Sequence, residues 1–293
     1  MRWLLIGLAV LGLLVSFWLF FGTPHRTINM AALEGDAGRG AYVVRLAGCV
    51  SCHTEPKGGA LLAGGPPLVT PFGTFFGPNI TSDPEHGIGN WTAGEFSDAL
   101  VNGHSATTGH LYPVFPYTAY SKMASQDVAD LWAWLQTVDA SSTPSKAHDI
   151  SKPFGFRSLL APWKTLFHDG DLIKAVPERS DTWNRGRYIV EGIGHCTECH
   201  TPRGKFGALD RTRQLEGGKL LPKGEKVPAI TAEALAKRGY THRDLLMAFQ
   251  YGLAPDGDVL GGSMGEVLSD QLEHLTTQDL EAIATYLLDS KPE

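Results

Sequence analysis

The pattern of apolar and polar residues divides the chain into one long apolar run followed by two similar halves. Residues 3–22 contain no charged side chain, and Arg2 precedes them. A helix of about 20 apolar residues is long enough to cross a hydrocarbon core of roughly 30 Å. We therefore expect residues 1–24 to form a signal-anchor transmembrane helix. A cleaved secretory signal peptide is the alternative, because such signals also contain an apolar region.

The two halves repeat one another, which predicts two copies of one structural unit. Each copy opens with an Arg-Gly-x-Tyr pattern and continues into a helical pattern further on. Each copy then ends in an amphipathic helix, with apolar residues near helical spacing around residues 128–138 and 280–287. The matching stretches are 39–44 with 185–190, 78–81 with 228–231, 91–92 with 240–241, and 95–101 with 244–251.

The start of each final helix carries recognisable capping residues. In the first copy Ser125 is a candidate N-cap, and Asp127 lies in the first turn, where the helix dipole favours a negative charge. In the second copy Thr276 and Asp279 form a variant of the capping box. These signals predict where both final helices begin.

Long loops rich in glycine and proline lie between the predicted helices, for example at 58–67 and 71–84. Loops of this length are uncommon in a compact domain unless something else supports them. A large apolar cofactor in the centre of each copy would supply that support. We therefore expect a mainly α protein with two tandem domains of one kind. The predicted ranges are 35–140 for the first domain, 141–180 for an interdomain segment, and 181–293 for the second domain.

The four cysteines carry the strongest chemical signal in the sequence. They form two Cys-x-x-Cys-His motifs, the pattern that attaches c-type haem. In such a motif both thiols add to the haem vinyl groups, and the adjacent histidine binds the iron. The predicted attachment residues are Cys49, Cys52, His53, Cys196, Cys199 and His200.

Two other uses of paired cysteines fit the sequence poorly. A zinc ribbon places its two pairs about 15–20 residues apart, whereas Cys52 and Cys196 are much further apart. A thioredoxin-like pair expects a βαβ context, and no strand pattern surrounds either motif. The sequence therefore predicts two covalently bound haem c groups, one in each of two tandem class I cytochrome c-like domains.

Methionine is the expected second axial ligand of each iron, because methionine with histidine raises the reduction potential of an electron carrier. Met123 lies just before the final helix of the first copy, and Met264 lies in a glycine-rich stretch of the second. A glycine-rich loop allows backbone to approach a flat cofactor closely. Met247 lies in an apolar helical pattern and is expected to be a core residue. The histidines that could compete for iron are His86, His104, His110, His242 and His274.

Haem propionates need hydrogen-bond donors, and three residues at repeated positions are candidates. They are Asn79 and Trp91 in the first copy and Tyr240 in the second. Trp91 and Tyr240 could equally be core aromatic residues.

Composition narrows the possible partners. The formal net charge is −6, and no basic cluster is present, which argues against nucleic-acid binding. Covalent c-type haem is attached outside the cytoplasm in bacteria. The expected location is therefore the periplasmic face of the bacterial inner membrane.

Several segments resemble the cytochrome c subunits of bacterial membrane-bound alcohol and gluconate dehydrogenases, and the two-haem cytochrome partners of periplasmic molybdenum hydroxylases. The resemblance covers roughly residue 35 to the end. It differs from the alcohol dehydrogenase subunit in motif number, because that subunit carries three haems and this sequence holds two attachment motifs. The matching segments are 70–74, 78–81, 112–117, 163–167 and 194–203.

The resemblance implies an electron-transfer subunit and not an enzyme in its own right. A periplasmic dehydrogenase would be the electron donor, and a cytochrome, an oxidase or a quinone in the respiratory chain would be the acceptor. Two enzymes remain as alternatives: a dihaem peroxidase, which needs an open position on one iron, and a thiosulfate-oxidising dihaem enzyme, which favours a Cys or His ligand.

Overall fold

The computed structural model describes residues 2–220 and 224–290. The protein is mainly α-helical, as expected. It begins with α1 (Arg2–Phe21), and no residue of this helix is buried. Among the described residues, α1 is the one helix that is long and apolar enough to cross a membrane. This result fits either a membrane anchor or a signal peptide.

The first helical unit surrounds the first haem motif and ends in the predicted amphipathic helix. Its core is formed by apolar residues of its opening and final helices, among them Val44, Leu131 and Leu135. Its elements are α2 (Ala37–Leu46), α3 (Cys49–His53), β1 (Pro67–Thr70), β2 (Gly73–Phe76), α4 (Ala93–Asn102), β3 (His104–Ser105), β4 (Gly109–His110), α5 (Tyr117–Tyr120) and α6 (Ser125–Leu135).

The connecting segment packs against both units, as its apolar composition suggests. It contributes β5 (Asp149–Ile150), which pairs antiparallel with β2, and α7 (Leu160–Phe167). Trp163 donates its indole N–H to the carbonyl oxygen of Phe206 in the second unit at 2.9 Å. The Lys164 ammonium is fully buried and donates to the carbonyl oxygen of Asn102, at the end of α4, at 2.7 Å.

The second unit has a helical order similar to that of the first, with one additional helix, Ala232–Lys237, before the helix that matches α4. Short antiparallel hairpins occur in both units, where the sequence predicted only irregular loops. The elements of the second unit are α8 (Asp181–Tyr188), α9 (Thr197–His200), β6 (Gly218–Leu220), β7 (Glu225–Val227), α10 (Ala232–Lys237), α11 (His242–Tyr251), α12 (Gly262–Asp270) and α13 (Thr277–Leu288). The predicted helices at 95–101 and 244–251 correspond to α4 and α11.

The opening and final helices cross at a glycine in both units. In the first unit, a Cβ added to Gly40 would lie 2.1 Å from the carbonyl oxygen of Asp130. In the second, a Cβ added to Gly186 would lie 1.9 Å from the carbonyl oxygen of Ala282. Only glycine permits backbones to approach this closely, which explains why the repeat has glycine at both positions.

An ion pair between an arginine and a carboxylate accompanies each helix crossing. The Arg39 guanidinium donates to both carboxylate oxygens of Asp130, at 2.6 and 2.8 Å. Arg185 makes the same two-bond contact with Asp279, at 2.8 and 2.7 Å. The arginine lowers the pKa of each carboxyl group against the opposing effect of burial. The arginine is repeated, but its partner is not: Asp279 matches Asp127, and Asp130 lies about one turn further along its helix. Each pair nevertheless joins the opening helix of its unit to the final helix.

The two units meet through reciprocal tyrosine contacts. The Tyr42 hydroxyl donates to Asp279 at 2.6 Å and accepts from the Thr276 N–H at 3.2 Å. The matching Tyr188 hydroxyl donates to Asp127 of the first unit at 2.5 Å, and it accepts from the backbone N–H that precedes α6 at 3.0 Å. Each opening helix thus contacts the start of the other unit's final helix.

One predicted cap differs from the structure. The N-cap of α6 is Ala124, which makes no side-chain cap hydrogen bond, and Ser125 is the first helical residue. The Ser125 hydroxyl instead accepts from the Arg26 guanidinium at 3.0 Å. Thr276 is the N-cap of α13, as predicted, and accepts from the Asp279 N–H. The predicted capping box is incomplete, because the Thr276 N–H donates to the Tyr42 hydroxyl and not to the Asp279 carboxylate.

Candidate haem sites

The first Cys-x-x-Cys-His motif forms the single short helix α3. His53 is 9% exposed, and its Nδ1 lies 2.8 Å from the carbonyl oxygen of Pro78. A carbonyl oxygen only accepts, so Nδ1 carries the proton and Nε2 retains the lone pair that binds a metal. Burial also lowers the pKa of His53, which favours the neutral, metal-binding form.

The second motif has the same geometry. Cys196 precedes α9, and Nδ1 of His200 lies 2.8 Å from the carbonyl oxygen of Pro228. Burial lowers the pKa of His200 as well. Pro78 and Pro228 open the repeated stretches at 78–81 and 228–231, so the repeat supplies one orienting carbonyl to each histidine. The sequence displays this echo but not its role.

The surroundings of Cys49 and Cys196 do not favour thiolate chemistry. The cysteines form no disulfide, and burial raises the pKa of Cys49 and of Cys196 to about 12. Reactive and redox-active cysteine pairs have lowered pKa values instead. Across residues 2–220 and 224–290, no three histidine, cysteine or acidic side chains gather as a metal site. Neutral thiols beside an oriented imidazole fit covalent haem attachment.

Glycines allow the chain to fold tightly over the first attachment turn. A Cβ added to Gly77 would lie 1.7 Å from the Cys52 carbonyl oxygen, and one added to Gly65 would lie 2.0 Å from it. The Gly64 N–H donates to the His53 carbonyl oxygen at 2.9 Å, and the Gly217 N–H donates to that of His200 at 2.7 Å. In both units a loop thus supports the back of the motif.

Met123, the expected second ligand of the first iron, is fully buried. It lies between α5 and α6, and its exposed fraction is 0%. The Arg26 guanidinium donates to the carbonyl oxygens of Met123 and Ser121, each at 2.7 Å. Arg26 follows the apolar N-terminal helix, so the N-terminal segment holds the methionine loop in place. Sequence reasoning did not identify this role.

Met264 occupies a different kind of position. It was expected in a glycine-rich loop, but it lies inside α12, half-buried against the core. Aligning the two final helices on their N-caps, Ala124 and Thr276, pairs Met123 with Leu275. The two methionines are therefore not equivalent, and a Met264 ligand would come from a separate element.

The competing histidines have other partners or lie at element ends. Nδ1 of His104 lies 3.1 Å from a carboxylate oxygen of Asp98, and the His110 ring packs edge-on against His104. His242 is the first residue of α11 and is exposed. The remaining two contact neighbouring carboxylates, His86 with Asp83 at 3.4 Å and His274 with Glu273 at 3.8 Å.

The three propionate candidates differ in their surroundings. Asn79 is buried, and its amide hydrogens are donated to the carbonyl oxygens of Ser141 and Thr143 at 2.7 and 2.9 Å. A propionate contact would require one of these bonds to be exchanged, so Asn79 chiefly holds the connecting segment. Trp91 and Tyr240 immediately precede the N-caps of α4 and α11, and both are half-buried against the core.

The two attachment turns are close to one another. The helix α12 of the second unit packs against α3. Burial together with the neighbouring charge of Cys199 raises the pKa of the Cys52 thiol to about 11. Glu198, inside the second motif, accepts from the Thr118 hydroxyl of the first unit at 2.7 Å and pairs with Arg203 at 2.5 Å. Its carboxylate therefore holds the interface.

Comparison with known proteins agrees with this geometry. The chain is 40% identical over 293 residues to the "Diheme cytochrome c-type" protein of Cereibacter sphaeroides, covering 96% of this chain and 95% of that protein. No family model matches.

Subunits of larger assemblies are also similar. The cytochrome c subunit of the alcohol dehydrogenase (quinone) of Gluconacetobacter polyoxogenes is 35% identical over 262 residues, with 87% of this chain and 56% of that subunit covered. The gluconate 2-dehydrogenase cytochrome c subunit of Pantoea cypripedii is 33% identical over 277 residues, covering 89% and 62%. The chain thus spans little more than half of these two subunits. These relatives are electron-transfer subunits and confirm the resemblance. Their agreement, and above all the near full-length match, shows that the chain belongs to the family of dihaem c-type cytochromes.

Proposed function

We propose that this chain is a membrane-anchored, periplasm-facing dihaem cytochrome c that takes electrons from a partner dehydrogenase and delivers them to the respiratory chain. Haem c supplies reversible one-electron chemistry at its iron. The protein supplies attachment, axial ligands and a fixed position for each haem. The observation that carries the proposal is the repeated attachment turn, in which a proline carbonyl orients the histidine in the same way twice.

Each haem belongs to one cytochrome c-like domain, at 35–140 and 181–293, joined by the segment 141–180. The proposed ligand pairs are His53 with Met123 and His200 with Met264. The four cysteines of the two motifs hold the haems covalently. Two haems are expected because both turns have the same thiols, the same imidazole orientation and the same supporting loop.

The relatives support a dehydrogenase as the electron donor, because several of them are named as cytochrome subunits of dehydrogenases. The acceptor belongs to one of three classes: a cytochrome, a terminal oxidase or a quinone. Electron transfer to and from such partners requires docking and no acid–base group. The Glu198 carboxylate, the charged group inside the second motif, already pairs with Arg203.

A peroxidase or a thiosulfate-oxidising enzyme would need different ligands. A peroxidase requires an open iron position, whereas the proposed Met123 ligand, which is fully buried, would fill that position on the first iron. A cysteine ligand would need a thiol outside the attachment motifs, and all four cysteines lie inside them. No contact in the described chain favours either enzyme.

The fully reduced protein is expected to lose electrons rapidly to an oxidised partner cytochrome or oxidase and only slowly to hydrogen peroxide. Two filled coordination shells leave no iron position for peroxide. Stopped-flow spectroscopy of the Soret and α bands measures both rates. The Met123→Ala variant is the positive control, because loss of the ligand opens a position and should speed the peroxide reaction. Sustained peroxide turnover by the native protein at roughly 1–1000 per second would instead establish a peroxidase.

Contacts just after α1 support an anchor that stays attached. The Thr165 hydroxyl donates to the Leu19 carbonyl oxygen at 2.9 Å. The Arg26 N–H donates to Asn102 at 2.8 Å, and the Asn102 amide returns a bond to the Arg26 carbonyl oxygen at 2.9 Å. The end of α1 is thus bound to the connecting segment, and the segment that would contain a cleavage site is bound to the first unit.

The mature protein is expected to retain its N-terminal segment and to sediment with membranes at high salt. N-terminal sequencing and fractionation test this directly. A start near residues 24–33, with release by osmotic shock, would contradict it. Two truncated proteins sharpen the test, each with a cleavable leader in place of the N-terminal residues. The protein that starts at Thr23 should be soluble and carry two haems. The protein that starts after residue 33 lacks Arg26, and its first site should be less stable.

A further inference from the structure

His195 has a backbone conformation that is unusual for a residue other than glycine. It immediately precedes Cys196 and has φ +44°, in the left-handed region that favours glycine. The matching residue before the first motif is Gly48, with φ +66°. Two other described non-glycine residues have positive φ, Leu62 and Leu215, and these occupy matching positions in the two units. His195 therefore departs from the repeat.

The side chain of His195 reaches across the interface to the first unit. Its Nε2 lies 3.2 Å from the carbonyl oxygen of Ala47, two residues before Cys49. The carbonyl only accepts, so the imidazole N–H is the donor. The Tyr120 hydroxyl donates to the same carbonyl at 2.6 Å, and the Tyr120 and His195 rings pack edge to face with centroids 5.7 Å apart.

Gly48 makes room for this contact. A Cβ added to Gly48 would lie 3.2 Å from Nε2 of His195, closer than almost all side-chain contacts. A histidine at one position and a glycine at the matching position are therefore complementary. A strained residue held by its surroundings is a sign that its side chain is needed. The glycine that the backbone favours at position 195 would make no contact with Ala47.

The contact between His195 and Ala47 connects the residues just before Cys196 with those just before Cys49. Cys196 is bonded to His195, the His195 imidazole is hydrogen-bonded to Ala47, and Gly48 joins Ala47 to Cys49. A second bond close by runs from the Gln271 amide to the Leu46 carbonyl oxygen at 2.5 Å. The backbone just before Cys49 is thus fixed from the second unit.

We infer that His195 is a positioning residue that holds the two haem-attachment segments at a fixed separation and angle, so that the two haems act as a coupled pair. The inference rests on the proposed dihaem function. One-electron exchange within such a pair oxidises one haem as it reduces the other and needs no further reactant. The imidazole bridge acts by holding this geometry, because it contacts backbone and not an iron ligand.

Three proteins test the inference: the native chain, His195→Gly and His195→Gln. Glycine adopts the left-handed backbone without strain and removes the bridge. Glutamine places an amide N–H near the position of Nε2 and should restore it. Two haems held close at a fixed angle give a bisignate Soret band in circular dichroism, and pulse radiolysis measures electron exchange between them.

The expected result is loss of the bisignate band and slower exchange in His195→Gly, with recovery in His195→Gln. Haem content and the potential of each haem should stay as in the native protein, and Tm should change by no more than about 4 °C. An unchanged band and exchange rate in His195→Gly would overturn the inference. So would loss of the second haem in that variant, because His195 would then serve attachment itself. A native protein with fewer than two haems would refute the proposed function instead.

Discussion

A chain in which Cys196 and Cys199 are both replaced by serine is expected to carry one covalent haem where the native chain carries two. Serine hydroxyls do not add to haem vinyl groups, so His200 alone would hold the second haem. The loss should also destabilise the second unit, because its loops would lose the macrocycle that supports them. Alkaline pyridine spectra at known protein concentration count the haems, and acid solvent extraction removes any haem that is not covalently bound.

The matched control replaces Cys49 and Cys52 in the same way. It should also leave one haem, and the two variants should differ in which spectral component remains. A native count of one, or haem that extracts completely into acid solvent, would contradict the assignment of either motif. Equal loss of both haems in each of these two-cysteine variants would show that attachment of one haem depends on attachment of the other.

The second large effect concerns the axial methionines. Met123→Leu is expected to lower the reduction potential of one haem and leave the other nearly unchanged, because Met123 belongs to the first predicted domain and Met264 to the second. Axial ligands cover roughly 0.8 V of potential in haem proteins, and loss of the thioether moves the iron toward the low end. Spectroelectrochemical titration resolves the two potentials.

Met264→Leu should affect the other haem, and Met247→Leu is the matched control. Met247 lies in the middle of α11 and is expected to change neither potential. A shift in Met247→Leu that is absent in Met264→Leu would reassign the ligand of the second unit. The alignment of the two final helices matches Met123 with Leu275, so the repeat does not predict which residue binds the second iron. The comparison of Met264→Leu with Met247→Leu decides between the two methionines.

Local signals in the sequence predicted the two final helices and the helices at 95–101 and 244–251. The attachment residues stay a prediction from the two motifs. The helices α4 and α11 follow the N-caps Thr92 and Thr241, which form complete capping boxes that were not among the predicted caps. The attachment motif is predictable because all of its groups lie within one turn of chain. Met264 was placed wrongly in a loop, because two glycines precede it and glycine disfavours helix. Packing of α12 against α3 outweighs that preference.

The contacts between distant parts of the chain could not be predicted in the same way. The repeat displays Tyr42 and Tyr188 at matching positions, but a pattern along one copy does not show which surface of the other copy it meets. The role of Arg26 depends on the path of the chain after α1. The proline carbonyls that orient His53 and His200 likewise act only once the loops have folded back.

The reciprocal contacts of Tyr42 and Tyr188 have the form of an isologous dimer interface, in which one surface patch serves both partners. Such an interface is available to a single-domain ancestor that pairs with itself, before gene duplication joins the partners in one polypeptide. After fusion, the two halves no longer need to have the same sequence. The Gly48 and His195 pair marks such a point, since a strictly symmetric homodimer would place two glycines or two histidines there. Covalent linkage thus permits an asymmetric contact on the symmetry axis that no homodimer can have.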